Sequence, residues 1–278
     1  MHGLKCILVG LLTIAATTPV VAEGPIPSRS DGGLRAVTAG MRAQAHARAQ
    51  SGERIALAMP QISRSVPPPP LTAIVIDVLV AYTEKAARHY RDIVRELVDP
   101  AIDGANGSFR LSNLDHIRLR LVHAYQTDYA EEGLHFDHLW RFADKGDGHM
   151  DEVHPLRDTY RADIAILIVD DASGCGLATR VRADADDAFA VVHHACAVAN
   201  YTFAHEIGHL IGASHEQSYV SAHQWRDIMA AKESCGGCPR LPVWSNPTVL
   251  INGEPAGTAD LNNARLIAEQ AARLAAFR

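Results

Sequence analysis

Aromatic residues are scarce in this chain, at 6% of 278 residues, and basic charge is not in excess. The formal net charge is −6, which argues against the basic face that nucleic-acid binding needs. No internal repeat is visible, so solenoids and propellers are set aside. Beyond the first segment, no apolar run is long enough to cross a bilayer. Cysteine is also sparse, with five residues in all. What remains is 47% hydrophobic and 21% charged, with a mean hydropathy near zero. That is the composition of an ordinary soluble protein, with material for one large domain or two small ones.

The N-terminus reads as an address label. Lys5 supplies a positive start, and residues 6–16 (CILVGLLTIAA) form an apolar core too short to span a membrane. Val20, Val21 and Ala22 offer a cleavage site, so residues 1–22 are expected to be a signal peptide. The mature chain is then expected to be secreted, extracellular or periplasmic, with no membrane contact. Cys6 leaves with the signal. Cys175, Cys196, Cys235 and Cys238 remain, and an even number in an exported chain suggests two disulfides. Three pairings are open. Cys175–Cys196, flanking a hairpin, and Cys235–Cys238, closing a short CGGC loop, are favoured.

Residues 23–70 are rich in Ala, Arg, Gln, Ser and Gly, and end in Pro67-Pro68-Pro69-Pro70, a stiff extended spacer. They read as a propeptide or flexible leader, and residues 71–278 as the folded domain. Residues 72–82 (TAIVIDVLVAY) are a β-branched apolar run, hence a buried strand. Thr83 can cap a following helix. Tyr90, Ile93, Val94, Leu97, Val98 and Ile102 recur at helical spacing, with Pro100 expected to kink or restart the helix. A second strand is expected over residues 117–123 and a third over 162–169. Short helices are expected over 134–142 and 150–160. Residues 176–181 and 188–194 read as the arms of a hairpin, and residues 258–277 as a closing amphipathic helix. Strands interleaved with helices predict an α/β (α+β) fold with helices packed on a mixed sheet.

The decisive stretch is His205-Glu206-x-x-His209-x-x-Gly212-x-x-His215. Positions i and i+4 of a helix share one face, so His205 and His209 can reach one Zn²⁺ together. Glu206 lies about 100° round the helix, suited to accept a proton from water that the metal activates. Gly212 can adopt positive φ, end the helix and let His215 return to the same ion. Three histidines leave a coordination position open, as catalytic zinc requires. Five fixed positions of this kind arise by chance at a frequency on the order of 10⁻⁴ per chain, far below that of a bare HExxH.

The pattern resembles the metzincin zinc peptidases, whose second signature is a methionine turn. Met229, in Asp227-Ile228-Met229-Ala230, lies at a suitable distance. Cys175-Gly176-Leu177-Ala178, Val191-Val192 and Cys196 resemble the edge and adjoining strands of reprolysin-like members. The blocks Ile76-Asp77-Val78-Leu79-Val80, Met150-Asp151-Glu152-Val153-His154, Ser245-Asn246-Pro247, Asn252-Gly253 and Asn263-Ala264-Arg265 resemble a bacterial branch, the peptidyl-Asp metalloendopeptidases. The resemblance implies a metzincin-type zincin: a mixed twisted sheet with an antiparallel edge strand, a long active-site helix, a Met-turn and a C-terminal helix. Glu216 stands where Asp is usual, Leu210 where Asn is common, and Ala231 where some members carry a zinc-assisting tyrosine.

The expected activity is zinc-dependent endopeptidase chemistry on protein or peptide substrates, with Glu206 as general base and Zn²⁺ as cofactor. Substrate is expected to pair with the edge strand at Gly176, Leu177, Ala178 and Thr179. The family likeness implies cleavage before acidic residues, with Arg180, Arg226, Lys232 and Arg240 as cations near the cleft. Four features carry less weight. His193-His194 reads as the surface and core faces of a strand, and Asp184, Asp186 and Asp187 as a solvated turn. A zinc protein without turnover would have no need of Glu206. A redox role for CGGC would require it to open a helix after a strand.

Overall fold

The computed structural model describes residues 62–64 and 72–278. The expected signal peptide and most of the expected leader lie outside the described residues. Among these residues no helix is long and apolar enough to cross a membrane.

The core is a five-stranded sheet. Its strands are β2 (Ile74–Tyr82), β3 (Ile117–Gln126), β4 (Ile164–Val169), β5 (Gly176–Ala178) and β6 (Phe189–His193). They lie in the order β3-β2-β4-β6-β5. The first four are parallel, and β5 runs antiparallel to β6 at the edge. Every residue of β4 is buried, as expected of a parallel strand covered on both faces.

Side chains that alternate along the strands divide between two cores. Ile76, Val78, Val80, Ile166 and Val192 face one side. There they meet α2 (Asp99–Leu111), α6 (Thr202–Ile211) and α7 (Asn263–Leu274). Leu79, Ala81, Leu167, Phe189 and Val191 face the other side. Their partners come from α3 (His135–Ala143) and α4 (Val153–Tyr160). The mixed sheet with helices on both faces matches the expected architecture.

Local signals act where they were read. Thr83 caps the short α1 (Glu84–Ala87), its Oγ1 accepting the Ala86 N–H at 3.1 Å. Pro100 has no N–H to donate. The chain runs as a π turn over Val94–Val98 and then as α2, with proline in its first turn. A short helix α5 (His194–Ala197) leads from β6 toward α6.

Two expectations are corrected. The closing helix begins at Asn263 and ends at Leu274, shorter than the 258–277 expected. Before it, the Thr258 N–H donates to Leu261 O and the Leu261 N–H to Thr258 Oγ1, closing a turn. Of the residues whose spacing predicts its apolar face, Ala264, Ile267, Ala271 and Leu274 are buried, whereas Leu261 precedes the helix and is half-buried. Unexpected is a second, three-stranded sheet of β1 (Ile62–Arg64), β7 (Asn246–Ile251) and β8 (Glu254–Ala256). β1 belongs by sequence to the expected leader. It pairs antiparallel with β7, Ile62 opposite Ile251 and Arg64 opposite Val249.

Candidate metal centre and active site

α6 carries the first half of the site. Tyr201, with φ of 53°, turns the chain into the helix, which ends at Gly212 with φ of 145°. The Gly212 and Ala213 N–H groups both donate to Gly208 O. The sharp end returns the chain to a 3₁₀ turn, His215–Gln217. Asn263 holds that return: its Oδ1 accepts the Ser214 N–H at 2.9 Å and its Nδ2 donates to Ser214 O at 3.0 Å.

The three imidazoles converge. His215 Nε2 lies 3.1 Å from His205 Nε2 and 3.0 Å from His209 Nε2. These atoms form a cluster able to hold one metal ion. In His205 and His209 the other ring nitrogen is already used. His205 Nδ1 contacts Ile228 O at 2.8 Å and His209 Nδ1 contacts Ala213 O at 3.1 Å. A nitrogen facing a carbonyl must carry the proton, which leaves each Nε2 lone pair free to ligate. Burial, then the neighbouring imidazoles, hold His205 well below its ordinary value, and His209 at about 4. Both rings are therefore neutral, as metal ligation demands. The donor set fits zinc.

Glu206 is buried beside the cluster. Burial raises its carboxyl to about 8, against the pull of Arg240 and a backbone hydrogen bond from Ala178. The β5 edge strand passes directly over it. A Cβ on Gly176 would sit 2.6 Å from Glu206 Oε1 and 2.7 Å from Thr202 Cγ2. A cleft of ≈ 220 Å³ is bounded by Gly176, Ala178, Val181, Glu206 and the three histidines. Thr179 follows the strand, its N–H donating to Phe189 O.

Met229 is fully buried beneath the site, and its neighbour Ile228 orients His205. Trp244 fills the space alongside. A Cβ on Gly208 would sit 2.5 Å from the Trp244 ring and 3.3 Å from Met229 Sδ. Trp244 Nε1 donates to Ser108 Oγ at 3.0 Å, and its ring stacks on Phe109. Gly208, Trp244 and Asn263 position the metal site, and no motif pointed to that role. Asp227 closes the methionine turn, accepting from the Ala230 and Ser245 N–H groups.

Both expected disulfides are present, Cys175–Cys196 and Cys235–Cys238. A second cavity of ≈ 460 Å³ lies between them, bounded in part by Asn200, Thr202, Arg226, Lys232 and Arg240. Arg240 Nη1 donates to Asn200 O at 2.7 Å. Burial and the adjacent Arg226 bring its guanidinium down to about 10. Arg226 is spent on structure, donating to Cys238 O and Ala230 O. Arg180 is paired with Asp187 at 3.1 Å.

Comparison with known proteins accords with this geometry. The profile of Metallo-peptidase family M12 matches residues 72–241, well over half of the chain. The chain belongs to metallopeptidase family M12. A peptidyl-Asp metalloendopeptidase of Xanthomonas campestris pv. campestris is 39% identical over 218 residues, which is 73% of this chain and 52% of that protein. One from Pseudomonas fragi is 30% identical over 177 residues, 59% of this chain and 94% of that protein. The chain thus spans about half the length of the Xanthomonas relative. A solved structure described as "Structure of a chaperone-substrate complex" superposes with a TM-score of 0.63 at 16% identity, covering 75% of this chain and 36% of that one. That likeness concerns the fold alone. For an M12 member, the mixed sheet with its antiparallel edge, the active-site helix, the methionine turn and the C-terminal helix make a metzincin-type zincin. Membership of M12 implies a catalytic metal, and the cluster of His205, His209 and His215 is suited to hold it.

Proposed function

We propose that this chain is an exported zinc metalloendopeptidase that cuts internal peptide bonds, preferring those on the N-terminal side of Asp or Glu. One observation carries the proposal. His215 Nε2 lies 3.0–3.1 Å from the Nε2 atoms of His205 and His209, all three within 4.8 Å of one another, and the carboxyl group of Glu206 is buried alongside them. Zn²⁺ held there supplies a Lewis acid that polarises the scissile carbonyl and acidifies water.

The chain's own residues do the rest. Glu206 takes a proton from the attacking water and returns it to the leaving amine. Its burial raises its proton affinity toward neutrality, the range in which such a base works best. Gly176 gives that carboxylate room. The free edge of β5, at Gly176–Ala178, offers its outward backbone groups to an extended peptide, while the Thr179 N–H that follows is held by Phe189 O. Met229 acts through packing under the site and makes no bond to the metal.

The acidic preference draws on the printed name of the relatives and on the cationic cavity. Arg226 and Arg240 are close enough to oppose each other's charge. A carboxylate entering between Arg240 and Lys232 relieves that repulsion. Residues 23–70 act as a leader removed near Leu71, after the signal peptide directs export.

The test is hydrolysis of casein and of a peptide library. Glu206→Gln is expected to abolish cleavage while stoichiometric zinc stays bound. Arg240→Gln is expected to lower kcat/KM on the order of 10²-fold for peptides with Asp after the scissile bond, the scale of one charge-assisted hydrogen bond, and to spare those with Ala. Purified protein with full zinc that cleaves nothing would instead favour a non-catalytic zinc-binding role.

A further inference from the structure

Away from the cleft, a second set of metal-ligating side chains comes together. His89 follows α1, Asp170 follows β4, and His194 opens α5. His89 Nε2 lies 3.0 Å from Asp170 Oδ2, and His194 Nε2 lies 3.1 Å from Asp170 Oδ1. One ligand atom from each residue lies within 4.8 Å of the other two. His194 is not the core face of a strand, as its sequence position suggested. β6 ends at His193, and His194 turns toward Asp170.

We propose that His89, Asp170 and His194 form a second divalent-cation site, suited to Zn²⁺ and distinct from the catalytic centre. Two imidazoles and one carboxylate make a donor set for a borderline ion, whereas Ca²⁺ and Mg²⁺ require oxygen. Each imidazole faces a different oxygen of Asp170. Here two rings stack with centroids 4.2 Å apart and planes inclined by 20°, both directed at one carboxylate. Protonating both sets like charges face to face, and the His193 ring stands 4.7 Å from His194 as well. Tyr90 Oη lies 2.9 Å from His194 Nδ1. With Nε2 on a metal, the Nδ1–H donates to that hydroxyl oxygen, the outer contact that orients a ligating histidine. The partly exposed His89 and Asp170 leave the remaining coordination positions to water.

The location gives the site a task. Asp170 starts the connection from β4 to the substrate edge strand β5. Cys175 ends that connection and is bonded to Cys196, two residues beyond His194. A bound ion pins the start of the connection while the disulfide pins its end.

The experiment is zinc stoichiometry by mass spectrometry on the full chain after dialysis against buffered Zn²⁺. Two ions per chain are expected, and one in His89→Ala, which removes an exposed side chain and leaves peptidase activity as the sign of an intact cleft. His209→Ala, which disables the cleft, is expected to keep one ion. Its Tm is expected to rise by about 5 °C with Zn²⁺ at 100-fold over Kd, a rise absent from His209→Ala/His89→Ala. One ion in the wild-type chain, two in His89→Ala, or a His209→Ala variant indifferent to Zn²⁺ would each overturn the assignment.

Discussion

Gly176 and Glu206 occupy adjoining space, and that contact is the most sensitive single point in the cleft. Any side chain at 176 meets the carboxylate. Gly176→Ala is expected to keep its zinc and its fold while losing on the order of 10²-fold in kcat, the scale of a misdirected general base; steady-state kinetics with metal analysis on the same sample checks this. Gly208 is equally constrained, by Trp244. Its role was hidden because a glycine within the zinc motif looks like a spare position until the ring above it is known. Asn263 was visible only as part of a family block, and its two bonds to Ser214 join residues distant in sequence. Asp171 illustrates a charge effect. Burial pulls its carboxyl up, but hydrogen bonds from Ser173 and His135 outweigh that and hold it at about 2. Its folded value lies below its unfolded one, so its stabilisation is complete above the ordinary carboxylate range and fades as pH falls through about 2. Asp171→Asn is expected to lower stability by about 2 kcal/mol at pH 7. In urea melts across pH, the gap from wild type is expected to close below pH 3.

Among the elements, those with a strong period were legible and those without it were not. The apolar run over 162–169 reads as a buried strand, and Ile164–Val169 forms one. The capped start at Thr83 stands where local chemistry put it, and the hairpin arms expected over 176–181 and 188–194 form as the shorter strands Gly176–Ala178 and Phe189–His193. The second sheet escaped notice. β7 opens with Asn246-Pro247 and β8 contains Pro255, which weakens both as strand signals. Asn252 and Gly253 have positive φ and form the hairpin turn between them, a signal the short flanking strands masked. β1 has no pattern of its own, and it is a strand because β7 offers an edge. A chain beginning at Leu71 lacks β1 and the packing of Ile62. It is expected to lose about 1 kcal/mol and 2–4 °C in Tm, read by thermal melts beside the longer chain.

At the scale of the whole molecule, a metal ion on the three imidazoles would tie α6 to the turn carrying His215. An ion bound only by the folded state adds about 4 kcal/mol when present at 1,000-fold over Kd. Chelation with 1,10-phenanthroline is therefore expected to abolish cleavage and lower Tm by about 10 °C, both reversed by added Zn²⁺. Full activity in excess chelator would contradict the proposed chemistry.

By itself the sequence determined the candidate metal centre, because residues ten apart or fewer carry all three imidazoles and Glu206. Helical periodicity and one glycine are enough to aim them at a common point. It also determined the central strands, whose unbroken apolar runs have no other stable environment. Only the tertiary structure decided what lies over and under that centre: the edge strand against Glu206, Trp244 against Gly208, Asn263 behind His215, and the meeting of His89, Asp170 and His194. Those contacts join residues tens of positions apart, and their partners are selected by shape and burial, which leave no local period to read.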